Sequence, residues 1–144
     1  QTHALCQGRI AVASGADRAK VEMQLQQVGM APYFEGRVFS GHELPRSKPF
    51  PDVYLAAAAA LKADPARCLV VEDTVTGVQA GVAAGATVWG YFPADQGHAS
   101  AEQLLEAGAA CVFGDMGDLP AMFEAVRKSA QSAVQGDGYE HEIQ

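Results

Sequence analysis

The chain has 144 residues, 49% of them hydrophobic, and a formal net charge of −7. This length fits one domain with a substantial core, and the composition excludes a disordered chain. The acidic balance argues against a general nucleic-acid or anionic-membrane surface, and the longest apolar run, residues 53–61, is too short to cross a bilayer.

Strand-like and helix-like segments alternate along the chain. Apolar and β-branched runs predict strands at residues 9–14, 37–41, 68–73, 87–92 and 111–115. Helical spacing of apolar residues, with Gly or Pro near the boundaries, predicts helices near residues 16–30, 51–63, 75–85, 99–107 and 119–129. This alternation predicts an α/β fold, a Rossmann-like three-layer αβα arrangement with a mostly parallel sheet. We expect residues 1–130 to form the core domain and residues 131–144 to be a polar, frayed tail.

Three glycines are spaced four residues apart in the helix predicted at residues 75–85. We expect Gly77 and Gly81 to allow close packing of this helix on the sheet. Gly85 is expected to end the helix.

The three cysteines, Cys6, Cys68 and Cys111, show no CxxC spacing. Cys68 and Cys111 each lie beside apolar, strand-like runs, which favours buried, reduced thiols. Because the first residues show no secretory signal pattern either, we expect a cytoplasmic protein.

Polar side chains follow three successive predicted strands, where ligands of open parallel sheets bind. The first strand ends in Ser14-Gly15-Ala16, a hydroxyl and backbone amides just before a helix. Such a segment can hold an anion, although an ordinary helix cap is the alternative interpretation.

A lysine follows the second of these strands, in the segment "SKPFPD". Pro49 and Pro51 predict a stiff, extended backbone around Lys48. An ammonium group held in this way suits a bound dianion, and a solvated surface lysine is the alternative.

Two adjacent acids, Glu72 and Asp73, end the third strand, whose sequence "CLVV" predicts burial. Two carboxylates about 4 Å apart at an effective dielectric constant near 20 repel by about 4 kcal/mol. A hard cation removes this repulsion, and carboxylate oxygens with water suit Mg²⁺. The alternative is a solvated acid with a helix cap from Asp73 or Thr74. Taken together, the three strand ends predict one crevice that holds a phosphate monoester and its metal.

These segments resemble signature motifs of the haloacid dehalogenase superfamily. "IAVASG" is similar to the second motif, "SKPFPD" to the third and "VVEDTVTGVQAGVAAGA" to the fourth with its helix. The resemblance covers residues 9–92 and is nearest to the β-phosphoglucomutase-like and sugar-phosphate phosphatase subfamily. It implies a core of that family, acting on a small phosphorylated metabolite.

The resemblance also implies residue roles. It implies that Ser14, with the backbone amides of Gly15 and Ala16, binds the phosphate, and that Lys48 bridges the phosphoryl group and the nucleophile. It further implies that Mg²⁺ is bound by Glu72 and Asp73, with Thr74 behind them.

The nucleophile of the family lies on an earlier strand, in a DxDGT-like motif, and no segment before Ser14 resembles it. The helical cap domain that normally follows the nucleophile is also missing. The family places that strand between those ending at Ser14 and Asp73. Without it these two strands would expose unpaired edges to each other, which is unfavourable for buried backbone. Our hypothesis is that the chain is the C-terminal part of a longer enzyme, whose N-terminal segment completes the sheet. The intact protein would be a Mg²⁺-dependent phosphatase with an aspartyl-phosphate intermediate, and this chain alone would be inactive.

Other functions remain open. A β-phosphoglucomutase-like phosphomutase is possible, because Arg18 could contact a second phosphate or could be a surface arginine. A noncatalytic fragment is a further alternative. A dehalogenase is disfavoured by "VEDT", and a receiver-type signalling module is disfavoured because Lys48 precedes the acid pair.

Overall fold

The computed structural model describes residues 2–6, 9–93, 99–134 and 141–143. Within these residues the chain forms six strands, which are β1 (Ile10–Ser14), β2 (Val38–Ser40), β3 (Cys68–Glu72), β4 (Thr87–Tyr91), β5 (Cys111–Phe113) and β6 (His141–Ile143). The same residues form the helices α1 (Thr2–Leu5), α2 (Arg18–Gln27), α3 (Asp52–Ala60), α4 (Val75–Ala83), α5 (Ala101–Ala107) and α6 (Leu119–Val134). None of the helices in this described part is long and apolar enough to cross a membrane.

The strands form one sheet in the order β2-β1-β6-β3-β4-β5. Every neighbouring pair is parallel, so all carboxyl ends of the strands lie at one edge of the sheet. The α/β class and the parallel sheet predicted from the sequence are therefore confirmed.

The core divides into two layers because successive strand residues face opposite sides of the sheet. On one side, Val70 and Val88 pack with residues of α3, α4 and α5 in one apolar cluster. On the other side, Val71 and Trp89 pack with residues of α6. Ile10 and Val21 belong to a smaller cluster beneath α2. Helices on both sides of the sheet give the three layers that the sequence predicted.

Capping residues set the ends of the helices beside the site. The Asp17 carboxylate accepts the Lys20 N–H at 2.9 Å at the start of α2, and the Thr74 hydroxyl oxygen accepts the Gly77 N–H at 3.0 Å at the start of α4. Gly85, with φ of +91°, follows the last turn of α4. Its predicted role as the helix end is confirmed, because this backbone conformation favours glycine.

Gly81 lies where α4 packs on the sheet. A Cβ atom at this position would lie 2.6 Å from Val88 Cγ2 and 3.3 Å from Val70 Cγ1. The predicted close approach of helix and sheet at Gly81 is therefore confirmed.

Strand β6 differs from the expectation for the end of the chain. Helix α6 continues to Val134, and His141–Ile143 lies between β1 and β3 rather than in a frayed tail. It pairs in parallel with Ile10 and Ala11 on one side and with residues 68–70 on the other. The facing edges of β1 and β3, which would be unpaired without an intervening strand, are therefore paired along these residues. The physical reason is that two facing rows of backbone donors and acceptors accept any extended segment that reaches them.

Cys6, Cys68 and Cys111 are not joined by disulfide bonds. Cys6 and Cys68 are buried, whereas Cys111 is half-buried. The predicted burial is therefore confirmed for Cys68 and only partly for Cys111. Burial raises the pKa of the Cys68 thiol to about 11, which keeps it protonated at neutral pH.

Candidate active site

A cavity of about 590 Å³ lies at the carboxyl ends of β1 and β3, and we refer to it as the site cavity. Six of the residues singled out from the sequence line it, namely Ser14, Gly15, Lys48, Glu72, Asp73 and Thr74. The parallel sheet places these residues together because β1 and β3 end at the same edge. The sequence therefore predicted the residues that meet at this crevice.

The loop after β1 holds the Ser14 side chain through its own backbone. The Ala16 N–H donates to Ser14 Oγ at 3.1 Å, so this amide already has an acceptor. Ala16 does not line the site cavity, unlike Ser14 and Gly15. The Ser14 hydroxyl keeps its proton to donate to an anion in the cavity.

Ser40 supports this loop from the neighbouring strand, a role that was not predicted from the sequence. Its side chain is buried, donates to the Ala16 carbonyl at 2.6 Å and accepts the His42 N–H at 3.2 Å. Ser14 and Ser40 are paired in the register of β1 and β2. The sequence feature that could have predicted this role is a serine at the end of a short apolar strand, since Ser14 ends the neighbouring strand in the same way.

Lys48 lies in a turn and not in the extended segment that was predicted. The Phe50 N–H donates to the Ser47 carbonyl at 3.0 Å, and the Lys48–Pro49 peptide bond is cis. This hydrogen bond closes a β-turn over residues 47–50, so the chain reverses direction at Lys48 instead of running straight. The ammonium group nevertheless points into the site, where Lys48 Nζ lies 2.5 Å from Glu72 Oε2 and 3.4 Å from the Ala13 carbonyl oxygen.

The Glu72 carboxylate is 8% exposed and points into the protein. Its Oε2 atom accepts from Lys48 and from the Tyr54 hydroxyl, and its Oε1 atom accepts the Asp73 N–H at 3.2 Å. Burial, followed by the nearby Glu72 charge, raises the pKa of Tyr54 well above its usual value, so the phenol remains a donor. A charge that was expected to need a bound cation is thus already opposed by the ammonium group of Lys48.

Gly77 provides the space for this carboxylate. A Cβ atom at Gly77 would overlap the carboxyl group of Glu72. The glycine predicted to pack on the sheet therefore packs on the buried acid at the end of β3. The Thr74 hydroxyl caps α4 at the same place, which supports the capping interpretation of this residue.

The carboxylate oxygens of Glu72 and Asp73 are ligands of the kind that Mg²⁺ prefers. Asp73 is half-buried and lines the site cavity beside Glu72. Within the residues that the structure describes, no group of three or more His, Cys, Asp or Glu side chains could hold a metal ion. Mg²⁺ is commonly held by one or two carboxylates with water and substrate phosphate, so two acids suffice for such a site.

Arg18 does not reach the site cavity. Its guanidinium group donates to both Glu43 carboxylate oxygens, at 2.8–3.1 Å, and lies 3.6 Å from Glu22. It lines a second cavity of about 390 Å³ between α2 and the segment Ala31–Phe34. The structure therefore favours the surface-arginine interpretation over contact with a second phosphate.

Comparison with known families and proteins agrees with this geometry. The haloacid dehalogenase-like hydrolase family matches residues 4–85. The 6-phosphogluconate phosphatase of Escherichia coli (strain K12) is 36% identical over 84 residues, which are 58% of this chain and 38% of that enzyme. The bifunctional riboflavin kinase/FMN phosphatase of Arabidopsis thaliana is 42% identical over 93 residues, which are 60% of this chain and 23% of that protein.

A similar solved structure is that of a HAD family hydrolase from Deinococcus radiodurans R1 with bound phosphate and sodium. It is 34% identical with a TM-score of 0.78, and the match covers 86% of this chain and 57% of that chain. The chain thus spans well under half the length of the two curated relatives and little more than half of this structure.

Proposed function

Because the chain belongs to the haloacid dehalogenase-like hydrolase family, we propose that the intact protein is a Mg²⁺-dependent phosphatase. Its substrate is a small phosphate monoester, such as a sugar phosphate. The observation that carries this proposal is the meeting of Ser14, Lys48 and the Glu72–Asp73 pair around the site cavity. The phosphatase names of two relatives support the reaction class.

Each residue has a role that follows from its position. The Ser14 hydroxyl and the Gly15 amide donate to phosphoryl oxygens at the end of β1. Lys48 lies between the two sides of the cavity and offsets negative charge on the phosphoryl group as it is transferred. Glu72 and Asp73 would hold Mg²⁺, which when bound neutralises charge on the phosphoryl oxygens.

The nucleophile of this proposal lies outside the chain. An aspartate carboxylate attacks phosphorus, the bond between phosphorus and the substrate oxygen breaks, and the leaving oxygen takes up a proton from solvent to depart as the alcohol. Water then attacks the aspartyl-phosphate, releases inorganic phosphate and restores the carboxylate. We propose that an N-terminal segment of the same protein carries this aspartate on a strand between β1 and β3, where it would replace β6.

The length of the native protein tests this part of the proposal. We expect the intact mass of the protein isolated from its source cells to exceed that of these 144 residues. A native mass equal to that of these 144 residues would contradict the proposal of an additional N-terminal segment.

The activity is tested with a panel of phosphate monoesters on the full-length protein. We expect release of phosphate that needs Mg²⁺ and stops with a chelator. Asp73→Asn should lower the rate by at least about a hundredfold, in the range seen when one charge-stabilising contact is lost. Glu106→Gln, an exposed acid on α5, is the matched control and should leave the rate unchanged.

Undiminished activity of Asp73→Asn would contradict the metal assignment. A sugar bisphosphate in the same panel separates the reaction types. Isomerised product without free phosphate would indicate a phosphomutase instead of a phosphatase.

A further inference from the structure

The hydrogen bonds of Glu72 determine which of its oxygen atoms can bind a cation. Each carboxylate oxygen has two lone pairs. Oε2 accepts from both Lys48 Nζ and the Tyr54 hydroxyl, so both of its lone pairs are used. Oε1 accepts only the Asp73 N–H among the contacts described, which leaves one of its lone pairs unused. A cation beside Asp73 would therefore bind Glu72 through Oε1.

We propose that the Tyr54 hydroxyl fixes the Glu72 carboxylate in the orientation that binds the divalent cation. Tyr54 is thus a positioning residue for metal binding. The inference rests on the proposed function, because that function supplies the metal. It assigns a role to a residue that the motif pattern marks only as part of a helix.

The surroundings of Tyr54 make its hydroxyl an effective anchor. The side chain is 1% exposed and lies in the apolar cluster formed by α3, α4 and the sheet. A hydroxyl buried among apolar groups needs a partner, and Glu72 supplies the acceptor. Since α3 and β3 are both fixed in the core, this hydrogen bond ties the carboxylate to a rigid part of the fold.

The ring and the hydroxyl of Tyr54 act on different groups. Lys48 Nζ lies over the ring at 5.0 Å from its centroid, a cation–π geometry. The hydroxyl contacts Glu72 instead. Tyr54→Phe therefore removes only the hydrogen bond and keeps the ring, its packing and its contact with Lys48.

The test compares wild type and Tyr54→Phe in the full-length protein. Mg²⁺ is titrated without substrate, and its binding is followed by the rise in Tm. We expect the Mg²⁺ concentration at half-effect to increase about tenfold in the variant, at the lower end of what loss of a hydrogen-bond partner of a metal ligand produces. The Mg²⁺ requirement for catalysis should shift equally, with the substrate KM at saturating Mg²⁺ unchanged.

Two controls separate positioning from a general structural effect. Tyr33→Phe, a tyrosine in the segment Ala31–Phe34 away from the site cavity, should leave the Mg²⁺ titration unchanged. In a Glu72→Ala background, adding Tyr54→Phe should change the Mg²⁺ titration by less than about twofold, because two residues that act through one contact are not additive.

The outcomes distinguish this inference from the proposed function. If wild type is an active Mg²⁺-dependent phosphatase and Tyr54→Phe binds Mg²⁺ equally well, the inference is overturned while the function stands. A lower Tm without a change in Mg²⁺ binding likewise overturns it, since the role is then structural. If wild type neither binds Mg²⁺ nor hydrolyses phosphate esters, the proposed function fails and takes the inference with it.

Discussion

Lys48–Glu72 and Arg18–Glu43 are each a cation–carboxylate pair beside a cavity of the same molecule. The arginine pair has the better fork geometry, with both carboxylate oxygens engaged. The lysine pair is the more buried, with side chains 16% and 8% exposed against 42% and 50%. Exposed pairs contribute little to stability, whereas breaking a buried pair leaves an uncompensated charge. The comparison shows that the pair in the site is distinguished from the surface pair by its burial and not by a larger number of hydrogen bonds, and that burial should determine its contribution to stability.

Removing Lys48 should have the largest effect. Lys48→Met leaves Glu72 buried without its cation, and we expect the free energy of unfolding to fall by about 3 kcal/mol. Urea denaturation of the chain measures this change. Lys128→Met, which removes an exposed lysine paired with Glu124 on α6, is the control and should have little effect. If Lys48→Met lowered the free energy of unfolding no more than the control does, the buried Lys48–Glu72 pair would contribute no more to stability than an exposed pair.

Filling the space at Gly77 should have the next largest effect. Gly77→Ala places a methyl group against the Glu72 carboxyl, so we expect a loss of about 1–3 kcal/mol despite the better helix propensity of alanine. Gly81→Ala is the matched comparison, because its methyl group would meet Val88 instead.

Both glycine variants should lower the urea midpoint. Only Gly77→Ala should also weaken Mg²⁺ binding in the intact protein, because only this change displaces an acid of the site. Equal effects of the two variants on Mg²⁺ would contradict the packing of Glu72 on α4.

Loss of the Ser40 hydroxyl should have a moderate effect. Ser40→Ala leaves the Ala16 carbonyl and the His42 N–H without their buried partner, and we expect a loss of about 1–2 kcal/mol. In the intact protein the substrate KM should rise, since the loop that carries Ser14 loses its support. Ser129→Ala, an exposed serine on α6, is the control for both measurements. An unchanged KM would limit Ser40 to a structural role.

The exposed pair should have the smallest effect. Arg18 lowers the pKa of Glu43, chiefly through their hydrogen bond, so the pair stabilises the fold above the usual pKa of a glutamate. This contribution is lost as the pH falls through the lowered pKa. We expect a small decrease in Tm for Arg18→Ala at pH 7, which shrinks as the pH falls below the usual pKa of a glutamate and in 1 M salt. A large decrease that persists in salt would place Arg18 among the structurally important cations.

The sequence predicted the sheet and its helices because the spacing of apolar residues differs between strands and helices. It predicted the position of the site because polar residues follow the ends of the predicted strands. Ser14 and Glu72 were found because each ends an apolar run, and Lys48 was found because it precedes Pro49 in the loop after a predicted strand. Tyr54 was missed because its position in "DVYLAAAAA" is that of an ordinary core residue, and only the distance to Glu72 reveals the hydrogen bond. Strand β6 was missed because "HEI" has too few apolar residues to predict a strand.

The central position of β6 has a consequence for the dimensions of the site. Ser14 belongs to the part of the sheet on one side of this strand, and Glu72 with Asp73 to the part on the other. Adjacent strands are spaced about 4.8 Å apart, so the two walls of the crevice stand about 10 Å from each other across the intervening strand. This main-chain separation is set by strand spacing, so amino-acid replacements in the walls change the free space between them but not the distance between the strands that carry them.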